Sequence, residues 1–222
     1  MYLLSHNPRL VYLHGFASSP KSRKAQFFAD HFRAVGVPLE IPDLANGEFH
    51  KLTIGSQLKL LENITGSEPA ILIGSSLGGY LAALHAVRNP RITKLILLAP
   101  AFDFYHLWTQ ALGPERLAGW ERTGTLTVFH YGAGRELPLS YEFLADASRF
   151  EAYPPVKQPI LIFHGTQDQV VPIEKSIAFA GLFTQTKLVH LASGHELTDV
   201  LDSIWEGAKS FLAENIRGCR KR

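Results

Sequence analysis

Short apolar runs alternate along the chain with longer stretches in which apolar residues recur every three or four positions. The runs at 10–14, 38–41, 70–75, 94–99, 159–164 and 186–191 read as strands. Several are apolar at consecutive positions, the pattern of parallel strands covered on both faces. The periodic stretches at 21–35, 53–65, 77–89, 173–184 and 197–215 read as helices. In the third, Tyr80, Ala83, Leu84 and Val87 fall at i, i+3, i+4 and i+7 and predict one buried stripe. Strands alternating with helices predict an α/β fold with a mainly parallel sheet flanked by helices on both faces. No internal repeat or low-complexity segment interrupts the pattern.

One region breaks the alternation. About sixty residues separate the run ending near Ala99 from the one beginning at Pro159, too many for a simple crossover. Residues 101–153 hold 11 of the chain's 24 aromatic residues, almost twice their proportional share. Some of these rings must pack the segment onto the sheet. The rest suit a cap over an apolar pocket, with Phe102, Tyr105, Trp108 and Tyr141 as its expected lining. The 222 residues then form a single domain with a cap inserted at about 101–153.

Composition narrows the function classes. Hydrophobic residues make up 46% and charged residues 19%, ordinary for a globular chain and unlike a disordered one. The net charge of +2 arises from a short basic tail (Arg217, Arg220, Lys221, Arg222), and residues 1–216 carry −2. A basic face for nucleic acid is therefore not expected. No run reaches the roughly 18 apolar residues of a membrane span, and no secretory leader pattern opens the chain. The one cysteine, Cys219, excludes an internal disulfide framework. A cytoplasmic location and no stable membrane insertion are the expectation.

Candidate chemistry begins at Gly74-Ser75-Ser76-Leu77-Gly78, a G-x-S-x-G match that follows a strand and opens a helix. Only Ser76 has glycine two residues away on both sides, as a tight strand-to-helix turn demands. It is the candidate nucleophile, at a helix N-terminus that favours developing negative charge. A serine hydroxyl needs a base. Of ten histidines, His195 alone occupies a loop at the C-terminal edge of the last strand, where open α/β sheets place their sites. Asp168, in the His164-Gly165-Thr-Gln-Asp168 turn, is the expected carboxylate, with Asp146 as its rival. The order Ser76, Asp168, His195 differs from the two familiar serine-protease orders. The backbone N–H groups of Leu77 and Phe16 are the expected oxyanion donors, with Gly15 permitting close backbone approach. His14 reads as a residue that orders this loop.

Through HGF, GSSLGG, HGTQD and SGH in this order, the sequence resembles the α/β-hydrolase superfamily over nearly its whole length. YLHGFASSPKSRKA followed by GSSLGGYLA resembles, more narrowly, the small bacterial esterases of the YqiA type. The resemblance implies an eight-stranded sheet or a reduced version of it. It also implies a Ser-His-Asp carboxylesterase with Ser76, His195, Asp168, Phe16 and Leu77 in the roles above. The region 101–153 is longer and more aromatic than that group leads one to expect.

A small-molecule ester is thus the expected partner, cleaved through an acyl-enzyme. Thioesters, amides and carbon–carbon bonds remain open to the same apparatus. A serine at position 76 argues against dehalogenases and epoxide hydrolases, which carry aspartate there. A ligand receptor on the same fold, with little turnover, is the alternative from another class. No G-x-G-x-x-G or G-x-x-x-x-G-K-[ST] loop and no histidine cluster implies a cofactor or metal.

Overall fold

The computed structural model describes residues 8–213. The basic tail, Cys219 and the last two positions of the final predicted helix lie outside the described residues. Six strands form one sheet: β1 (Arg9–Leu13), β2 (Leu39–Glu40), β3 (Ala70–Ser75), β4 (Ile92–Leu98), β7 (Ile160–Gly165) and β8 (Thr186–Leu191). They lie in the order β2-β1-β3-β4-β7-β8, and every pairing is parallel. The connecting helices are α1 (Arg23–Ala34), α2 (Ile54–Thr65), α3 (Leu77–Arg88), α6 (Glu174–Leu182) and α7 (Leu201–Ala213). This is the reduced form of the expected sheet. Each expected strand lies within two residues of its observed bounds.

Alternation along the strands divides the core in two. Leu10, Tyr12, Ile71, Ile73, Ile96, Leu98, Leu161 and Phe163 face α1 and α7. There Trp205 meets Phe32 edge-on at 4.9 Å and Phe28 at 6.3 Å between ring centroids. Val11, Leu13, Leu72, Leu95, Leu97, Ile160 and Ile162 face the opposite layer, which includes α2 and α3. The expected stripe on α3 is wrong in detail: Val87 is 36% exposed, while all residues from Leu77 to Ala86 are buried. The helix lies between the sheet and α2, so apolar residues surround it rather than forming one face.

Between β4 and β7 the chain builds α4 (Phe104–Thr123), the hairpin β5 (Thr125–His130) with β6 (Arg135–Ser140), and α5 (Glu142–Ala147). The α4 span is two helices meeting at Gly113, whose φ of 74° and following Pro114 break the hydrogen-bond ladder. The hairpin was not expected from the sequence. Its β5 strand alternates half-buried Leu126 and Val128 with exposed neighbours, a period-two signal confined to six residues. Trp120 ties the pieces together, donating its indole N–H to the Leu139 carbonyl at 3.2 Å.

The chain leaves β1 for β2 on one side, then crosses from β2 back over β1 to β3 on the other. The sheet therefore has a switch point at the C-terminal ends of β1 and β3, where open α/β sheets form their sites. Phe28→Ala removes a fully buried ring between β1 and α7, and the loss should be about 3–5 kcal/mol. Urea denaturation reads it as a lowered midpoint; an unchanged midpoint contradicts this account of the layer.

Candidate active site

Four loops at the C-terminal ends of β1, β3, β7 and β8 converge. The turn from β3 into α3 puts Ser76 at φ 54° and ψ −118°, backbone that a residue with a side chain rarely adopts. Its neighbours cannot carry side chains. A Cβ on Gly74 would overlap the Gly78 backbone and come within 2.7 Å of the Gly79 Cα. A Cβ on Gly78 would overlap the Leu13 carbonyl and come within 2.6 Å of the His14 oxygen. The strained turn is held from three sides. The Ser76 N–H donates to Leu98, and its carbonyl accepts from Gly79 and Ala101 at 2.9 and 3.0 Å.

His195 comes to this turn from the loop after β8. Its Nδ1 lies 2.7 Å from Oδ2 of Asp168 and its Nε2 lies 3.1 Å from Oγ of Ser76. The carboxylate can only accept, so Nδ1 carries the proton and Nε2 is left to receive one from the serine. Gly165 makes the approach of the β7 and β8 loops feasible, since a Cβ there would come within 2.6 Å of the Gly194 carbonyl oxygen.

The Asp168 side chain is completely buried. Oδ1 accepts from the Val170 and Val171 N–H groups at 2.9 and 2.8 Å, while Oδ2 faces His195 and lies 3.2 Å from Nε2 of His164. Burial opposes the negative charge. Hydrogen bonds from His164 and His195, the charge of His195 and the Val171 N–H outweigh it and hold the carboxyl well below the usual range. His164 is the residue that sequence reasoning passed over. It is fully buried, its Nε2–H donates to the Val171 carbonyl at 2.9 Å, and its Nδ1 accepts from Ser176 at 2.7 Å. Its spacing of four from Asp168 across the turn was the available signal.

The rival carboxylate lies elsewhere: Asp146 accepts the Gly55 N–H at 2.7 Å, tying α5 to the first turn of α2. His14 orders its loop, donating from Nδ1 to the Gly15 carbonyl and accepting the Leu44 N–H at Nε2. Gly15 is less constrained than expected, because a Cβ there would meet Ser76 at an ordinary 3.5 Å. Among the described residues the N–H groups of Phe16 and Leu77 have no hydrogen-bond acceptor, which leaves both free to meet an oxyanion. The Phe16 ring packs on Trp108 edge-on at 4.9 Å and on Phe143 at 5.3 Å.

Ser76 and His195 open onto a cavity of about 700 Å³. Of the four aromatic residues expected to line it, only Trp108 does. Phe102 is fully buried and stacks on Phe179 at 4.0 Å; Tyr141 meets the buried Trp120 edge-on, and Tyr105 lies off the cavity side of α4. The lining from α4 is Phe104, Leu107, Trp108 and Ala111, which are i, i+3, i+4 and i+7. That helical period was legible in the sequence, and counting aromatics alone missed it. Among the described residues no group of three or more His, Cys, Asp or Glu side chains could hold a metal ion, and no helix is long and apolar enough to cross a membrane.

The family model described as "Uncharacterised protein family (UPF0227)" matches residues 9–213. The chain is 26% identical over 192 residues to "Palmitoyl-protein thioesterase ABHD10, mitochondrial" of Rattus norvegicus, covering 80% of this chain and 64% of that protein. It thus spans less than two thirds of that relative. Among solved structures it is similar to alpha/beta hydrolase domain-containing protein 10 from mouse, with a TM-score of 0.76, 22% identity and coverage of 94% and 92%. It is also similar to Est1E from Butyrivibrio proteoclasticus, solved with bound ferulic acid, with a TM-score of 0.73, 24% identity and coverage of 96% and 90%. These likenesses show the α/β-hydrolase fold.

The depressed Asp168 carboxyl has a consequence for stability. Its contribution is complete above the ordinary carboxylate value of about 3.9 and is lost as pH falls below that toward the native value. Asp168→Asn should therefore cost about 1–3 kcal/mol at pH 7. The gap from wild type should shrink below about pH 4, read by urea midpoints across pH. A gap that stays constant on acidification contradicts the assignment.

Proposed function

The chain belongs to the uncharacterised protein family UPF0227, and from that premise we propose that it is a serine carboxylesterase acting on small or medium apolar acyl esters. The observation that carries the reading is the hydrogen-bonded chain Ser76–His195–Asp168 at a cavity walled by Phe104, Leu107 and Trp108. Ser76 Oγ attacks the acyl carbon as His195 Nε2 takes its proton, and Asp168 stabilises the resulting imidazolium. The Phe16 and Leu77 N–H groups stabilise the oxyanion, each typically worth about 2.7–4 kcal/mol of barrier. His195 then protonates the leaving alcohol. Water, deprotonated by the same histidine, attacks the acyl-enzyme and releases the carboxylic acid and Ser76.

The segment 101–153 acts as the cap of a single hydrolase domain, with the α4 stripe receiving the acyl chain. No cofactor, nucleic acid or membrane enters the reaction. A cytoplasmic location accompanies this reading, supported by a chain whose one cysteine allows no internal disulfide. Thioesters are the second reading, favoured by the similarity to a palmitoyl-protein thioesterase of Rattus norvegicus. The chemistry at Ser76 is the same, with a thiol as leaving group.

Hydrolysis of p-nitrophenyl esters from acetate to laurate, beside matched acyl thioesters, tests the proposal. Ser76→Ala should lose about six orders of magnitude in kcat, as triad knockouts do in serine proteases. Asp168→Asn should lose about 10⁴ through the wrong histidine tautomer. Asp146→Asn should leave kcat near wild type. Near-normal turnover by Ser76→Ala overturns the nucleophile, and a larger loss in Asp146→Asn than in Asp168→Asn overturns the choice of carboxylate. Absence of turnover with both ester and thioester series favours the receptor alternative.

A further inference from the structure

The cavity has a second side that an apolar acyl chain does not use. Opposite the α4 stripe it is lined by Tyr12, Ser22, Arg23, Lys24, Ser75 and Glu196. Two of these are cations brought in by the first turn of α1. The Lys24 side chain is only 9% exposed, which is unusual for an ammonium group and costs solvation unless a partner compensates. Its one ion-pair partner among the described residues is Glu196, with Nζ to Oε2 at 3.4 Å, and that carboxylate is 76% exposed. The exposed Glu196 carboxylate and the charge of the buried Asp168 both attract the ammonium, but burial outweighs them and disfavours its charge. Arg23 is exposed and has no ion pair among the described residues.

Two more observations point to a negative ligand. The N-cap residue of α1, Ser22, makes no side-chain capping bond, so the first-turn N–H groups of the helix lack that partner. Tyr12 is fully buried and its hydroxyl meets no partner at full hydrogen-bond geometry among the described residues, with the Ser75 side chain as its nearest hydrogen-bonding neighbour. Burial, opposed by Ser75 and reinforced by the charge of Glu196, pushes that phenol up and keeps it a neutral donor. Tyr12 and Ser75 border the cavity from beneath, Lys24 and Arg23 from α1, and Glu196 directly follows the catalytic His195.

We propose that this polar side of the cavity binds an anionic leaving group, so that the substrate joins an apolar acyl chain to an alcohol or thiol bearing a carboxylate or phosphate. This rests on the acyl-hydrolase reading above and names the half of the substrate which that reading leaves open. With the acyl chain along α4 and the carbonyl carbon at Ser76, the leaving group extends toward Lys24. The anion pairs with the Lys24 ammonium and displaces Glu196, whose like charge sets a threshold against weak anions. Arg23 at the rim adds attraction on approach.

The test uses two esters of one acid, phenyl octanoate and 4-carboxyphenyl octanoate, with the monophenyl ester of octanedioic acid placing the anion at the acyl end instead. The proposal expects Lys24→Met to lower kcat/KM for the carboxyphenyl ester at least tenfold more than for the phenyl ester. Lys24→Arg should retain the wild-type ratio, and Glu196→Gln should raise the preference for the anionic ester several-fold. Equal losses on both esters in Lys24→Met mean that the lysine merely supports the His195 loop, and they overturn the proposal. A lysine-dependent preference for the acyl-end anion overturns the assignment to the leaving group. Calorimetric binding of the two octanoates to Ser76→Ala, with and without Lys24→Met, separates this inference from its premise. Lysine-dependent binding of the anionic ester without wild-type hydrolysis keeps the lobe and removes the hydrolase reading. Hydrolysis without such a preference does the reverse.

Discussion

The close approach of α3 to the ends of β1 and β3 is the constraint on which the site depends. Ser76 can stand above the sheet only because Gly74 and Gly78 let two backbones come closer than any side chain would allow. The positive φ at Ser76 costs of the order of 1–3 kcal/mol. The layers around it offset that cost: ten consecutive residues of α3 are buried, and β3 is buried along its whole length. A turn that relaxed toward ordinary backbone would lower the hydroxyl into the sheet, away from the His195 loop. Strain at one residue is thus maintained by a helix and a strand that are buried along almost their whole lengths.

Asp168 poses the complementary problem, a full charge with no exposed surface. Three N–H groups answer it, two from the backbone and one from His195, while Nε2 of His164 lies 3.2 Å from Oδ2. His164 is itself fixed through Ser176 and the Val171 carbonyl, so the carboxylate cannot rotate without breaking contacts in α6 and its leading loop. That rigidity sets the tautomer of His195, because Nδ1 faces an oxygen that can only accept. The electrostatics of the site therefore reach back one layer further than the hydrogen-bonded chain Ser76–His195–Asp168.

The fold was legible where the physics is local. Alternating apolar runs and helical periods located six strands and five helices, and the glycine spacing around Ser76 singled out, of two serines, the one whose hydroxyl lies against His195. The loops bearing Asp168 and His195 could be placed because open α/β sheets collect their sites at one edge. What the sequence concealed depends on tertiary packing. Phe102 and Tyr141 are as aromatic as Trp108, yet they face Phe179 and Trp120 rather than the cavity. The β5–β6 hairpin carries too short an alternation to stand out, and Pro138 within β6 disguises it further. Val87 follows the helical period but reaches the end of its covered face and is exposed.

The segment between β4 and β7 joins these features, since Trp108 and Phe143 clasp the ring of Phe16 in the loop after β1. Part of the cavity wall beside Ser76 and His195 is thereby built from one aromatic cluster. The central claim, that Ser76 is an activated nucleophile, is tested most directly by stoichiometric labelling with a fluorophosphonate followed by mass spectrometry of the peptides. The account predicts one adduct per chain, on Ser76, formed far more slowly when His195 is replaced by alanine. An adduct on another residue, or labelling of Ser76 at the same rate without His195, would contradict it.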